Sequence, residues 1–88
     1  MLPDKVHQLT IEYPEDLLLS LKESPEEFKR EARLLLAVKL YELEKISSGM
    51  AARLAGMNRI EFLLEVNRFG IPIIQSPPEE LAQDVANA

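Results

Sequence analysis

The polar side chains best placed to do chemistry in this 88-residue chain fall between Ser47 and Arg68, and they suit hydrogen bonding to nucleic acid more than bond making. Asn58, Arg59 and Glu61 sit together at the start of a predicted helix and can be offered to base edges, arginine to guanine and asparagine to adenine. Ser47, Ser48, Arg53 and Arg68 are spaced to reach phosphates. Catalysis is poorly provided for. His7 is the only histidine, no cysteine exists to act as nucleophile or thiolate ligand, and the three glycines at 49, 56 and 70 form no phosphate-cradling loop. The acid pairs Glu15-Asp16, Glu26-Glu27 and Glu79-Glu80 each stand at a predicted helix start, where the macrodipole favours them without any acid–base role. The expectation is a protein that is no enzyme and takes no cofactor and no metal.

The elements that must position these residues run from Ser47 to Gly70, SSGMAARLAGMNRIEFLLEVNRFG. Ala52, Gly56 and Phe62 give a small residue in a first helix, a glycine at the turn and a large apolar residue in a second helix. Two helices crossing over a turn of 3–4 residues bring their backbones close, so Ala51, Ala52 and Ala55 must keep the first one slim. Gly56 can take the left-handed conformation that ends it. Asn58 then fits as N-cap with Glu61 completing a capping box, Phe62, Val66 and Phe69 form the inward face, and Gly70 closes the second helix. The spacing predicts a helix-turn-helix. An ordinary αα-hairpin, in which small residues merely allow close packing, meets the same pattern.

Upstream, residues 6–12 alternate imperfectly and predict a short strand ended by Tyr13-Pro14. Pro14-Glu15-Asp16 starts a short helix to about Lys22, with a second strand, DLLLSL, as the competing assignment. Ser24-Pro25-Glu26-Glu27 is the clearest local signal, a capping box with proline at the first helical position, and opens a long helix expected to reach Ile46. Its apolar residues lie on nearly every side, so part of its surface, Leu34, Val38 and Tyr41 in particular, is expected to meet another subunit or a partner. Ile71, Ile73 and Ile74, in the run Ile71-Pro72-Ile73-Ile74, suit an edge strand that pairs with the first strand within the chain or across a dimer, and they belong to the same expected interface. The predicted units are 1–23, strand and short helix; 24–46, long helix; 47–75, helix-turn-helix plus short strand; and 76–88, acidic tail. The fold class is mainly α: a small helical domain with a helix-turn-helix and one or two short strands, dimeric.

The size favours dimerisation, because a chain this short buries only about 60–65% of its unfolded surface. No segment approaches the ~20 apolar residues of a membrane span, so a cytoplasmic protein is expected. Net charge is −5, which opposes a strong nucleic-acid footprint, but residues 47–75 are the one positive segment, with Arg53, Arg59 and Arg68 against Glu61 and Glu65.

Residues 40–74 carry Leu40-Tyr41-Glu42, Ile46-Ser47-Ser48-Gly49, Ala51-Ala52, Leu54-Ala55-Gly56 and Phe69-Gly70-Ile71-Pro72. With IEYPEDLL and SPEEFKREARLLLAVKLYE upstream, the chain from about Leu9 to Ile74 resembles a family of small prokaryotic proteins of uncharacterised status, described as predicted antitoxin-like or DNA-binding helix-turn-helix proteins. The resemblance implies a protein paired with a toxin of the PIN-nuclease type that regulates its own operon. The sequence departs from the usual pattern at Met50, where lysine is common, losing one candidate phosphate contact, and at Asn58, where serine is common. Two functions are therefore expected in alternation: operator binding as a homodimer, or a protein-interaction module whose apolar and acidic segments neutralise a basic nuclease without significant DNA binding.

Overall fold

The computed structural model of the chain describes residues 5–73, and in it four helices follow one another: α1 (Glu15–Leu21), α2 (Pro25–Glu42), α3 (Ser48–Ala55) and α4 (Arg59–Arg68). The mainly helical class is therefore as expected. Each helix starts where its local chemistry directs. At α2 the Ser24 hydroxyl accepts from the Glu27 amide at 3.2 Å while the Glu27 carboxylate accepts from the Ser24 amide at 2.8 Å. α1 begins with Pro14 as the extended N-cap residue, one position earlier in the helix than expected, followed by two acids in the first turn. The strand assignment for DLLLSL is excluded.

All four helices end in the same way, with two crossed backbone hydrogen bonds of the Schellman type. For α3 these are Gly56 N–H to Arg53 O at 3.1 Å and Met57 N–H to Ala52 O at 3.0 Å; for α4 they are Gly70 N–H to Asn67 O and Ile71 N–H to Val66 O. In α1 and α2 the left-handed residue is not glycine but Lys22 (φ 58°) and Glu44 (φ 59°). Glu44 stops α2 at Glu42, four residues before the expected end, at a steric cost of about 1 kcal/mol that the two bonds offset.

The expected strands are absent among the described residues. Residues 5–14 are extended, yet no backbone hydrogen bond joins residues 5–13 to another described residue. A single strand has no ladder to complete. At the other end Ile71 is claimed by the cap of α4 and Pro72 has no amide to give, so 71–73 form no strand either. Ile74 and the acidic tail at 76–88 lie outside the described residues.

The core is small and sits where α2, α3 and α4 meet: Ala37, Val38 and Tyr41 from α2, Ala51 and Ala52 from α3, Phe62 and Val66 from α4. The Tyr41 and Phe62 rings meet edge to face, 5.6 Å between centroids and 88° between planes. Leu34, Ile46, Leu54, Met57, Leu63 and Ile71 pack around this centre half-buried. Of the three α2 residues expected to face a partner, Val38 and Tyr41 are thus buried within the chain itself and Leu34 lies against the same core. Helices α3 and α4 cover that side of α2. The apolar residues left exposed on α2 are Leu35 and Leu36, with Leu43 just beyond its end.

The residues flanking α1 touch α2: before it the Tyr13 ring meets that of Phe28 at 4.8 Å, and after it Glu23 lies beside Glu31. Glu23 is half-buried, its Oε1 lacks a partner among the described residues, and its pKa is raised above 4.5, first by burial and then by the neighbouring Glu31 carboxylate. The folded chain therefore holds a proton there that the unfolded chain releases, and stability falls as pH rises from about 4.5 through the raised value. Glu27 is shifted the opposite way by its bonds to Ser24, so its contribution is lost as pH falls below 4.5. A Glu23→Gln variant keeps Glu27 and isolates the first effect. Its melting temperature is expected above that of the parent at pH 7, with the gain vanishing near pH 4; an equal gain at both pH values contradicts the assignment.

Candidate nucleic-acid interface

Three residues, Gly56 to Asn58, join α3 to α4, and each has an assigned task. Gly56 takes φ 79° and ends α3, Met57 packs half-buried on the core, and Asn58 caps α4. The Asn58 Oδ1 accepts from the Glu61 amide at 2.8 Å and the Glu61 Oε1 accepts from the Asn58 amide at 3.1 Å, the capping box expected from the spacing. At the far end of α3, Ser47 is the N-cap, its hydroxyl accepting from the Met50 amide at 3.1 Å. α3 and α4 are two separate helices packed on each other, with Asn58, Arg59, Ile60 and Glu61 exposed at the start of the second.

The side chains expected to meet DNA are placed in different ways. Asn58, Arg59 and Glu61 lie together on the exposed start of α4, though the capping oxygens of Asn58 and Glu61 are already engaged with backbone amides. Ser48 is buried, 1% exposed, and its hydroxyl accepts from Arg59 Nε at 2.7 Å. It faces inward and holds the arginine in place instead of reaching a phosphate. Arg53 is exposed on α3. Arg68, at the opposite end of α4, is committed locally: Nε and Nη2 both bond Glu65 Oε1, at 2.8 and 2.6 Å, and the guanidinium lies 4.7 Å from the Phe69 ring centroid. Phe69 is 39% exposed and is not part of the buried core, because α4 has ended before it. Among the expected interface residues at the C-terminal side, Ile71 is half-buried and Ile73 exposed. No group of three metal-ligating side chains stands together among the described residues, and no helix among them is long and apolar enough to cross a membrane.

Two features of the site escape the sequence patterns. Arg33, midway along α2, reaches across to the last turn of α3, where its Nε and Nη2 donate to Leu54 O at 3.1 and 2.8 Å. A cation at a helix C-terminus both satisfies a carbonyl and opposes the dipole. The same guanidinium leaves little room at the turn, since a Cβ on Gly56 would stand 3.3 Å from both of its terminal nitrogens. The second feature is the outer side of α4, where Ile60 (72% exposed) and Leu64 (64%) stand one turn apart.

With that arrangement in view, a comparison with protein families decides the kinship: the profile of an uncharacterised protein family, UPF0175, matches residues 4–88. The chain belongs to UPF0175. Among its relatives are a UPF0175 protein of Aeropyrum pernix, 37% identical over 78 residues that span 89% of this chain and 82% of the relative, and one of Archaeoglobus fulgidus, 36% identical over 73 residues spanning 83% and 80%. No solved structure matches. For this UPF0175 chain the contact between Arg33 and Leu54 is expected to hold the turn between α3 and α4. Arg33→Ala should lower the free energy of urea unfolding by about 1–2 kcal/mol, the range for hydrogen bonds from a charged group at a partly exposed site; an unchanged midpoint and slope contradict that role.

Proposed function

We propose that this chain is a small antitoxin-like regulator that binds operator DNA as a homodimer through α3 and α4 and controls transcription of its own operon. The observation that carries the proposal is the exposed start of α4 beyond a three-residue turn, with the Arg59 side chain held by Ser48 at that end. In a helix-turn-helix the N-terminal residues of the second helix meet base edges in the major groove, and the first helix lies across the backbone. Arg59 and Asn58 then take the base edges, Arg53 and Ser47 the phosphates, and Arg68 stays with Glu65. Few cations take part, so counterion release is small and discrimination rests on a handful of contacts.

A second reading has its own observation. Ile60 and Leu64 give the outer side of α4 an apolar ridge where a DNA-reading helix needs polar atoms, and such a ridge suits the groove of a protein partner. In that case the chain neutralises a toxin-type nuclease, of the PIN class that the family resemblance implies, and DNA binding is secondary.

Fluorescence anisotropy with the DNA upstream of the chain's own gene separates the two. Arg59→Ala is expected to weaken binding by about tenfold and relax base preference, the effect of losing about 1–3 kcal/mol at one base contact, while Arg53→Ala weakens all sequences alike and lowers the salt slope by about 1. No binding at low salt, or binding indifferent to both substitutions, overturns the operator reading.

A further inference from the structure

We infer that residues 7–13 of two copies of this chain pair as antiparallel strands about a twofold axis at Thr10. This rests on the homodimer of the proposed function but not on its DNA. Within one copy the segment is unsatisfied in two ways. Its backbone amides and carbonyls have no hydrogen-bond partner among the described residues, and Leu9 and Ile11 are 72 and 64% exposed. Tyr13 is tied down through the Phe28 ring, and Pro14 is fixed as the N-cap of α1, so the segment leaves the domain from an anchored point.

Its side chains divide by parity. His7, Leu9, Ile11 and Tyr13 fall on one side of an extended chain, Gln8, Thr10 and Glu12 on the other. A lone extended segment of this kind is a template for another strand, and an identical segment fits it without conflict. With the axis at Thr10, Leu9 lies opposite Ile11 twice, His7 opposite Tyr13 twice, Gln8 opposite Glu12 twice, and Thr10 opposite itself, a favourable cross-strand pair. No like charges meet. Moving the axis to Glu12 sets two carboxylates face to face, moving it to Ile11 brings Pro14 into the ladder, and moving it to Leu9 sets Ile11 against His7 and Tyr13 against Lys5. A two-stranded ribbon is marginal without cover for its apolar side, and Leu19 of α1, exposed and a few residues along the chain, supplies apolar surface for that side to settle on.

The absence of cysteine makes the register directly readable. Single cysteines are placed in turn from His7 to Glu12 in the full chain and oxidised, and dimers are scored on a non-reducing gel, with no DNA present. In an antiparallel pair only the residue on the axis lies opposite its own copy at about 4.5–5.5 Å between Cα atoms, inside the range a disulfide bridges, whereas a residue two positions away is about 14 Å from its copy. Thr10→Cys is therefore expected to cross-link at least about tenfold faster than Gln8→Cys or Glu12→Cys. Thr10→Pro, which removes the central amide, is expected to shift the chain from dimer to monomer in sedimentation at unchanged helical circular dichroism. A maximum at another position, uniform cross-linking as in a parallel pair, or a parent chain that sediments as a monomer at high micromolar concentration overturns the inference and leaves the operator assay standing on its own.

Discussion

The arrangement depends on α3 being thin. Ala51 and Ala52 are both buried, and they are what lets an eight-residue helix lie between α2 and α4 while the Tyr41 and Phe62 rings still meet edge to face. Close-packed interiors tolerate little change in volume, so a longer side chain at either alanine would part the two rings or push α4 away from α2. Among the described residues seven buried apolar side chains form the centre of the domain, and helices of this length are not stable in water without such packing. Arg33 works on the same geometry from outside. It fastens the last turn of α3 to α2 by a carbonyl, not by packing, and so fixes where the turn to α4 begins.

The placement of the partner-facing residues follows from that centre. With Val38 and Tyr41 buried and Leu34 packed against the same core, the apolar residues left exposed include Leu35 and Leu36 on α2, Leu43 just after it, Leu9 and Ile11 before α1, and Ile60 and Leu64 on α4. The polar residues are redistributed in the same way. Ser48 becomes an internal support for Arg59, and Arg68 is absorbed by Glu65 and Phe69. What remains outward at the start of α4 is a short, weakly charged end.

Much of this was legible in the residues because local chemistry settled it. Ser24 with Glu27 and Asn58 with Glu61 announce helix starts, and Gly56 and Gly70 announce ends. The ends of α1 and α2 could not be read in the same way, since Lys22 and Glu44 adopt the left-handed conformation that a pattern search grants to glycine. Alternation in residues 6–12 described a segment able to be a strand, but a strand needs a partner, and no described part of the chain pairs with it. The apolar residues of α2 were equally ambiguous: periodicity shows that a side is buried, not whether the same chain buries it. Arg33 to Leu54 spans 21 positions and carries no sequence signature at all.

The side chains of α2 and α4 meet across a slim α3 through the Tyr41 and Phe62 rings, and the rest of the domain depends on that contact. The chain has two tyrosines and three phenylalanines, so proton nuclear Overhauser spectra of its aromatic rings are simple to assign. Cross-peaks between the ring protons of Tyr41 and Phe62 are predicted, together with contacts from both rings to the methyl groups buried beside them. A Tyr41 ring with no cross-peak to Phe62, in a chain whose helices are intact, would contradict the account.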